Sequence, residues 1–250
     1  MSRASMLAAR LLLLALALGL WEALPRLGWV DDEILPPFSA VFVTALQLLQ
    51  RPAIHGDLVT TGLQLGAALI ISVPTGVLLG ILLAENKRLA QVCEPLLYFL
   101  FSVPKSIFLP LFILTLGISF WQKVAFGCFS TILIVLMSAT AAVRSVREEH
   151  VLTARSYGAT RAQITRHVYL PSMLPVLLEA LRLAVIFSTT AVVLAEMYAS
   201  RSGIGQQIAS WGESFMMRQL FAGVLIVSVT AIVINEFIRW IENRCSHWRS

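Results

Sequence analysis

The longest stretch of this chain without a charged side chain runs from Leu58 to Ala84, 27 residues bounded by Asp57 and Glu85. A helix of about 20 apolar residues is enough to cross the hydrocarbon core of a bilayer, which is about 30 Å thick. The stretch therefore predicts a membrane-spanning helix. Pro74 predicts a kink within it, which a membrane helix tolerates when its neighbours satisfy the freed carbonyl. Its small residues would allow neighbouring helices to approach closely: Gly62, Gly66, Ala67, Gly76 and Gly80.

Composition extends this interpretation to the whole chain. Of its 250 residues, 58% are hydrophobic and 13% charged, against about 45–50% and about 25% in soluble domains. A chain of this length has too little interior to bury that excess. The net charge of +5 does not indicate a nucleic-acid partner, because the basic residues lie between apolar runs, where they act as topology signals. The three cysteines form no CxxC pair and indicate neither a disulfide nor a metal site.

The apolar runs predict an all-α integral membrane protein with about six spans. The predicted spans are 6–24, 58–84, 95–116, 124–143, 174–198 and 219–241. The first run is short, and a cleaved signal peptide is the alternative to a retained helix. No A-x-A cleavage site follows Trp21, which favours the helix. A short helix is expected near 38–50 in the loop 25–57, and a short amphipathic helix in the outer loop 199–218.

The placement of Lys and Arg predicts the orientation. With the N-terminus inside, twelve basic residues fall on the cytoplasmic side and five on the other, among them Lys123. Because positive residues concentrate in cytoplasmic loops, both termini are expected in the cytoplasm.

The cytoplasmic connection from Arg144 to Ser172 is polar, yet it carries apolar residues at helical spacing. It predicts two short amphipathic helices joined at Gly158, the second ending before Leu170-Pro171 and leading into span five. Such a unit fits a groove on a soluble partner, or it lies at the lipid headgroups. The residues alone leave these two alternatives open.

This connection resembles the EAA loop of ABC-importer permeases, whose pattern is EAA, three residues, Gly, nine residues and I-x-L-P. Gly158 matches the glycine, Val168 stands for the isoleucine, and Leu170-Pro171 match the final pair. The EAA triplet reads Leu152-Thr153-Ala154, so only its last alanine is kept. The resemblance implies contact with an ATPase through one set of residues: Ala154, Tyr157, Gly158, Ala159, Val168, Leu170 and Pro171.

The resemblance covers roughly residues 33–244 and is closest to the nitrate/sulfonate/taurine-type subfamily. The stretches ILPPFSAVF, EPLLYFLFSVPKSIFLPLFILTLGIS and VLAEMYASRSGIGQQI carry it beyond the loop. It implies an N-terminal helix and periplasmic loop over 1–57. It also implies a type I transmembrane domain with a five-helix core over 58–250, which contains the EAA-like loop 144–172.

The resemblance also implies the partners and the location. They are a cytosolic ATPase dimer that binds ATP-Mg, a periplasmic or lipoprotein substrate-binding protein, a second permease copy as a homodimer, and the lipid of a bacterial inner membrane. The chain itself has no GxxxxGK[ST], HExxH or GxSxG motif, so it is expected to carry no cofactor and no covalent chemistry. A secondary transporter is the main alternative, but the chain shows no convincing internal repeat and few buried acids.

Charged residues within spans are candidates for the translocation pathway. Lys105, beside Pro104 and close to Pro110, is interpreted as a pore-lining cation that meets anionic substrates. The alternative is a snorkelling lysine or one paired with a carboxylate. Glu196, near the outer end of span five, is a candidate for an external gate or a plain helix-end carboxylate. The expected substrate is a small organic or inorganic anion, or a vitamin precursor, and the sequence does not name it.

Overall fold

A computed structural model describes residues 3–146 and 148–245. The described part consists of helices joined by short turns, without a strand. Residues 1, 2, 147 and 246–250, which include the predicted cytoplasmic residues Arg147 and Arg249, lie outside it. The helices are α1 (Arg3–Arg26), α2 (Phe38–Leu48), α3 (Pro52–Glu85), α4 (Lys87–Ser102), α5 (Leu109–Leu116), α6 (Phe120–Arg144), α7 (Glu148–Ser156), α8 (Arg161–Ile164), α9 (Leu170–Tyr198), α10 (Ile204–Glu213) and α11 (Met217–Cys245).

The centre of the molecule is a bundle of α3, α6 and α9. Glycines of α3 lie against α6: a methyl group at Gly76 would come within 2.8 Å of Val135 Cβ, and one at Gly80 within 2.6 Å of Ala139 Cβ. Gly127 of α6 likewise lies against Ala68 of α3. Small residues allow this close approach between membrane helices. Residue numbers increase together along both helices at these contacts, so α3 and α6 run parallel.

α9 runs in the opposite direction. Phe126 near the start of α6 packs with Ala195 near the end of α9, while Val135 farther along α6 packs with Ala184. Following the predicted orientation, we call the end of the bundle that holds α10 the outer end. The end that holds the 144–172 loop is the inner end.

α4 and α5 form a bent pair. A short 3-10 turn, Lys105–Phe108, separates them, and they meet at 88°. Because α3 and α6 are parallel, the bent pair must return the chain to the outer end before α6 begins. It therefore counts as one crossing, and together with five long apolar helices it gives the six spans predicted.

Several helices begin earlier than predicted, because capping groups set their starts. The third span begins at Lys87 rather than Pro95, since the Asn86 side chain accepts from the amides of Arg88 and Leu89 at 3.2 Å. The second begins at Pro52, where proline fits the first helical turn. The predicted short helices in both outer loops are present, as α2 and α10.

α2, α10 and α11 pack together at the outer end through an apolar cluster. Its buried residues are Val41, Ala45, Leu48, Ile54, Ile204, Ile208, Ala222 and Ile226. α1 joins this layer at its last turns: Trp21 Nε1 donates to the Pro36 carbonyl at 3.1 Å, and Glu22 accepts from the Ser39 amide at 2.9 Å. Earlier in α1 the leucines are exposed, Leu12 and Leu13 at 68% each.

Candidate functional site

A Schellman motif ends α7 in the 144–172 loop. Gly158 has φ 79°, the left-handed conformation that glycine adopts without strain. Its amide donates to the Arg155 carbonyl at 2.9 Å, and the Ala159 amide donates to the Ala154 carbonyl at 3.1 Å. These two bonds satisfy carbonyls that the end of a helix leaves free. The glycine turn predicted from sequence is therefore a defined helix stop.

A capping box starts α8 two residues later. The Thr160 amide donates to Gln163 Oε1 at 2.8 Å, and the Gln163 amide donates back to Thr160 Oγ1 at 3.4 Å. This reciprocal pattern satisfies free amides at a helix start. Since one motif stops α7 and another starts α8, the angle between the two helices is set by the local sequence.

The second helix of the loop does not end before Leu170-Pro171 as predicted. α8 continues through a π-helical turn, Thr165–Tyr169, into α9, and the helix from Ala162 to Tyr198 is unbroken. Pro171 directly follows the π-helical turn, where the regular α-helical hydrogen-bond pattern is already interrupted. The second helix of the loop and the fifth span thus form one continuous helical rod, Ala162–Tyr198.

The predicted ATPase-contacting residues differ in exposure. Tyr157 is 88% exposed and Leu170 55%, Gly158 is also exposed, and Ala154, Ala159, Val168 and Pro171 are half-buried. Leu152 is 61% exposed, whereas Ile164 is buried. The apolar side of the loop therefore divides into residues that pack within the protein and residues, above all Tyr157, that project from it.

Pro104, Lys105 and Pro110 lie where α4 turns into α5. Pro104 caps the 3-10 turn, and Pro110 falls in the first turn of α5. The Lys105 ammonium lies over two rings, 4.5 Å from the centroid of Phe101 on α4 and 5.8 Å from that of Phe187 on α9. Both prolines are exposed on this surface. The structure thus brings the three predicted residues together and adds two aromatic side chains.

Glu196 is fully buried. Its carboxylate accepts from Thr61 Oγ1 at 2.8 and 3.0 Å and from the Gly205 amide at 2.9 Å. Thr61 Oγ1 in turn accepts from the Ile204 amide at 3.0 Å. The carboxylate thereby joins α9, α3 and the first turn of α10.

Asp57, which sequence analysis treated only as the boundary of a span, continues this network. It accepts from the Gly203 amide at 2.8 Å and from Gln207 Nε2 at 3.0 Å. Asp57 and Thr61 are four residues apart on one helix face, but this spacing does not indicate their partners, which lie more than 130 positions away. We call this group, formed by Asp57, Thr61, Glu196, Gln207 and the amides of 203–205, the outer clasp.

Two glycines allow the outer clasp to close. A methyl group at Gly203 would come within 2.1 Å of Glu196 Oε1, and one at Gly205 within 2.5 Å of the Val193 carbonyl. Gly203 also has φ 107°, which favours glycine. This gives a physical reason for Glu196, Gly203 and Gly205 in the stretch VLAEMYASRSGIGQQI, which carries part of the resemblance.

Lys123 is a second buried charge that the sequence did not reveal. It was interpreted as an outer-loop topology signal, but it is 2% exposed within α6, close enough to act electrostatically on Glu196. Buried charges require compensation by opposite charge or hydrogen bonds. In this conformation the outer end of the bundle is closed around Lys123 and Glu196, and the role of Glu196 as a gate stays a prediction.

The sequence matches a known family over most of its length. Residues 76–247 match the profile of the binding-protein-dependent transport system inner membrane component. The chain belongs to this family, which confirms the resemblance. It is a multi-pass membrane protein and the permease subunit of an ABC importer, a transport component rather than an enzyme.

Curated relatives agree over nearly the whole chain. The taurine transport system permease protein of Escherichia coli (strain K12) is 27% identical, over 94% of this chain and 87% of its own. The putative aliphatic sulfonates transport permease protein of Bacillus subtilis (strain 168) is 27% identical, over 96% and 87%. The formylaminopyrimidine transport permease protein of Halalkalibacterium halodurans (strain ATCC BAA-125) is 26% identical, over 92% and 91%.

Solved structures share the fold. A bacterial ABC transporter involved in the import of the acidic polysaccharide alginate superimposes with a TM-score of 0.68 at 16% identity, covering 97% of this chain and 96% of that one. The MetNI methionine ABC transporter, in inward-facing conformations, gives 0.59 at 21% identity, covering 79% and 94%.

Proposed function

We propose that the 144–172 loop seats on a separate cytosolic ATPase and that its movement is carried into the bundle by α9. The observation that supports this is the unbroken helix from Ala162 to Tyr198. The N-terminal end of this helix adjoins the capped turn that exposes Tyr157. Its C-terminal end holds Glu196 of the outer clasp. A displacement of the loop at the inner end would therefore also move Glu196 at the outer end.

The second copy of the permease belongs to this proposal. α4 and α5 present apolar side chains outward, such as Phe99 at 71% and Leu114 at 83%. Lys105 lies on the same bent pair, and a lysine facing the centre of a bilayer costs about 3 kcal/mol. A homodimer in which the two bent pairs face each other across a water-filled pathway removes that cost.

An external binding protein completes the assembly and selects the substrate. The relatives include permeases for taurine, aliphatic sulfonates and formylaminopyrimidine. We therefore take the substrate to be a small organic or inorganic anion or a vitamin precursor. Both termini of the permease are placed in the cytoplasm, in accordance with the distribution of basic residues.

Co-purification tests the coupling role of the loop. The full chain carries a C-terminal tag, native membranes are solubilised in mild detergent, and the recovered partners are identified. Gly158→Val places a β-branched residue at φ 79°, a conformation that such residues essentially never adopt. Gly117→Val is the matched control, because Gly117 also has positive φ, 67°, at the opposite end of the bundle.

The expected result is a stoichiometric ATPase with the wild type and with Gly117→Val, and recovery reduced by about tenfold or more with Gly158→Val. Recovery of the ATPase by Gly158→Val at the wild-type level would remove the loop from the coupling role. Wild-type protein that brings down no ATPase in several detergents would remove the support for stable ATPase contact through this loop.

A further inference from the structure

A cleft opens between α4 and α6 at the inner end of the bundle. Its volume is about 360 Å³, within the range of small-molecule sites in proteins, about 300–1,000 Å³. The mouth of the cleft is polar, because Glu94 of α4 and Arg144 of α6 stand on its two walls and form an ion pair across it. Behind the mouth the walls are largely apolar, formed by Leu83, Leu97, Leu136 and Met137.

The cleft lies on the face of α4 that leads to Lys105. Glu94, Tyr98 and Phe101 are four and three residues apart, so they share one face of the helix. Glu94 and Tyr98 line the cleft, and the centroid of the Phe101 ring lies 4.5 Å from the Lys105 ammonium. Since Lys105 is a candidate for the translocation pathway, the cleft continues that candidate pathway to the inner side.

The two walls of the cleft differ in how firmly they are held. α6 packs closely on α3, because Gly76 and Gly80 of α3 leave no room for a methyl group between the two helices. α4 is held through its first turns, where Ala90 packs with Leu83 and Leu136. Beyond those turns the cleft separates α4 from α6. α4 is therefore the wall that can move across the cleft.

Arg144 belongs both to the cleft and to the loop. It is the last residue of α6 and the first residue of the 144–172 loop, so a displacement of the loop acts on Arg144 directly. Its side chain is 50% exposed and that of Glu94 28%, so water screens the pair only in part. In this conformation the outer clasp is closed, whereas the cleft at the inner end is open.

We propose that the cleft is an inner gate of the pathway and that the ion pair between Arg144 and Glu94 closes it. When the ATPases bind nucleotide and move the loop, Arg144 moves with the loop and Glu94 follows with α4, so that α4 closes onto α6. This rests on the proposed function, because it takes the loop to be moved by the ATPase. It gives the loop a second connection to the bundle besides α9, through which the inner end closes.

Labelling of a cysteine inside the cleft tests the gate in the assembled transporter. Cys93, Cys128 and Cys245 are replaced by alanine, and Ala141→Cys is introduced at an exposed position of α6 that lines the cleft. Inside-out vesicles from the native membrane, which keep the ATPase, expose the inner end to a membrane-impermeant maleimide. The measured quantity is the ratio of the labelling rate without nucleotide to the rate with ATP and vanadate, which together hold the ATPases closed.

Labelling is expected to slow about tenfold with ATP and vanadate, because closure leaves about one cleft in ten open. Glu94→Gln and Arg144→Gln should each weaken the closure about fivefold, the change in the equilibrium between open and closed clefts that one such ion pair supports. The charge swap of Glu94→Arg with Arg144→Glu restores the pair and should restore the closure. Arg88→Gln is the matched control, because it removes a cation of α4 that forms no ion pair in the described part of the chain.

A second cysteine, on the loop, separates a failure of the gate from a failure of the proposed function. Tyr157→Cys in the same background should be protected from the maleimide while the ATPase is seated. If it is protected and Ala141→Cys reacts equally with and without nucleotide, the cleft is not a gate. An Ala141→Cys thiol that reacts in neither state would mean that the cleft is not open to water. Closure that survives Glu94→Gln and Arg144→Gln would remove the ion pair from this role. An unprotected Tyr157→Cys would overturn the proposed function, and the gate with it.

Discussion

Both carboxylate oxygens of Glu196 accept from the Thr61 hydroxyl, and one also accepts from the Gly205 amide. These donors are enclosed between α3, α9 and α10, where water does not replace a lost acceptor. A buried donor left without an acceptor costs about 1–3 kcal/mol. The free-energy cost of replacing the Glu196 side chain therefore comes chiefly from the buried donors that it leaves without an acceptor.

Glu196→Ala is expected to destabilise the protein strongly, by roughly 3 kcal/mol, because it leaves buried donors unpaired and a cavity behind. Glu196→Gln keeps an acceptor oxygen and should lose less. Thermal unfolding in detergent is the measurement. Glu213→Ala, an exposed glutamate at the same end of the bundle, is the matched control and should melt with the wild type. Equal melting of Glu196→Ala and Glu213→Ala would mean that the outer clasp contributes nothing to stability.

At the scale of single residues, the sequence indicates which charged side chains are candidates for a functional role, but not which of them the fold buries. Lys105 and Glu196 could be singled out because a charge inside a span is costly. Asp57 and Lys123 could not, since each stands at the end of an apolar run and looks like a loop residue. Asp57 is buried because Gly203, 146 positions away, folds back onto it, and Lys123 is buried because the first turn of α6 lies inside the bundle. No local pattern reports such distant contacts.

At the level of elements, the α3–α6 contact gives a matched pair of substitutions on one helix. Gly80→Ala would bring a methyl group within 2.6 Å of the Leu136 carbonyl, whereas nothing lies within 4 Å of a methyl group at Gly66. Overpacking of this kind costs about 1–3 kcal/mol, while alanine is favoured over glycine in a helix by about 1 kcal/mol. Gly80→Ala should therefore lower the unfolding temperature and Gly66→Ala should keep or raise it. A fall of equal size in both variants would contradict the contact.

The α7–α8 unit gives a second pair of substitutions. Tyr157→Ala removes a side chain that is 88% exposed, so the fold should be unaffected. Loss of an aromatic interface anchor costs about 2 kcal/mol or more, and the Kd for the ATPase should rise about 30-fold, measured by titrating the purified ATPase onto immobilised permease. Tyr198→Ala, a tyrosine 73% exposed at the other end of α9, should leave the Kd unchanged. An unchanged Kd in Tyr157→Ala would favour the alternative of a loop lying at the lipid headgroups.

Helices were easier to predict than their ends and angles. Long uncharged runs predicted α3 and α6 because each run is long enough to cross a bilayer as a helix. The start of α4 depends on one side-chain cap at Asn86, and the 88° bend after it depends on how α5 packs against α6. A proline marks a break in a helix, but its neighbours decide the angle.

For the whole molecule, the parallel direction of α3 and α6 makes a topology prediction. Alkaline phosphatase fused after Gly117 should be active, because the bent pair returns the chain to the outer side. Fusions after Ser145 or Ala159 should be inactive, and a C-terminal fluorescent protein should fold in the cytoplasm. Enzyme activity and fluorescence in whole cells provide the measurement. An inactive fusion after Gly117 would mean that α4 and α5 form a re-entrant loop and that the orientation of the later helices is reversed.

The unbroken helix from Ala162 to Tyr198 constrains which changes of length the chain can accept. Each residue of an α-helix advances the backbone by about 100° and 1.5 Å. Losing or gaining one residue between the loop and Glu196 would turn the carboxylate about a quarter of the way round the helix, away from Thr61. The π-helical turn at Thr165–Tyr169 is where an extra residue fits, because such turns absorb one residue without breaking the helix. Elsewhere in this rod an insertion or deletion should displace Glu196 from Thr61 at the outer end, whereas a substitution leaves the register of the helix unchanged.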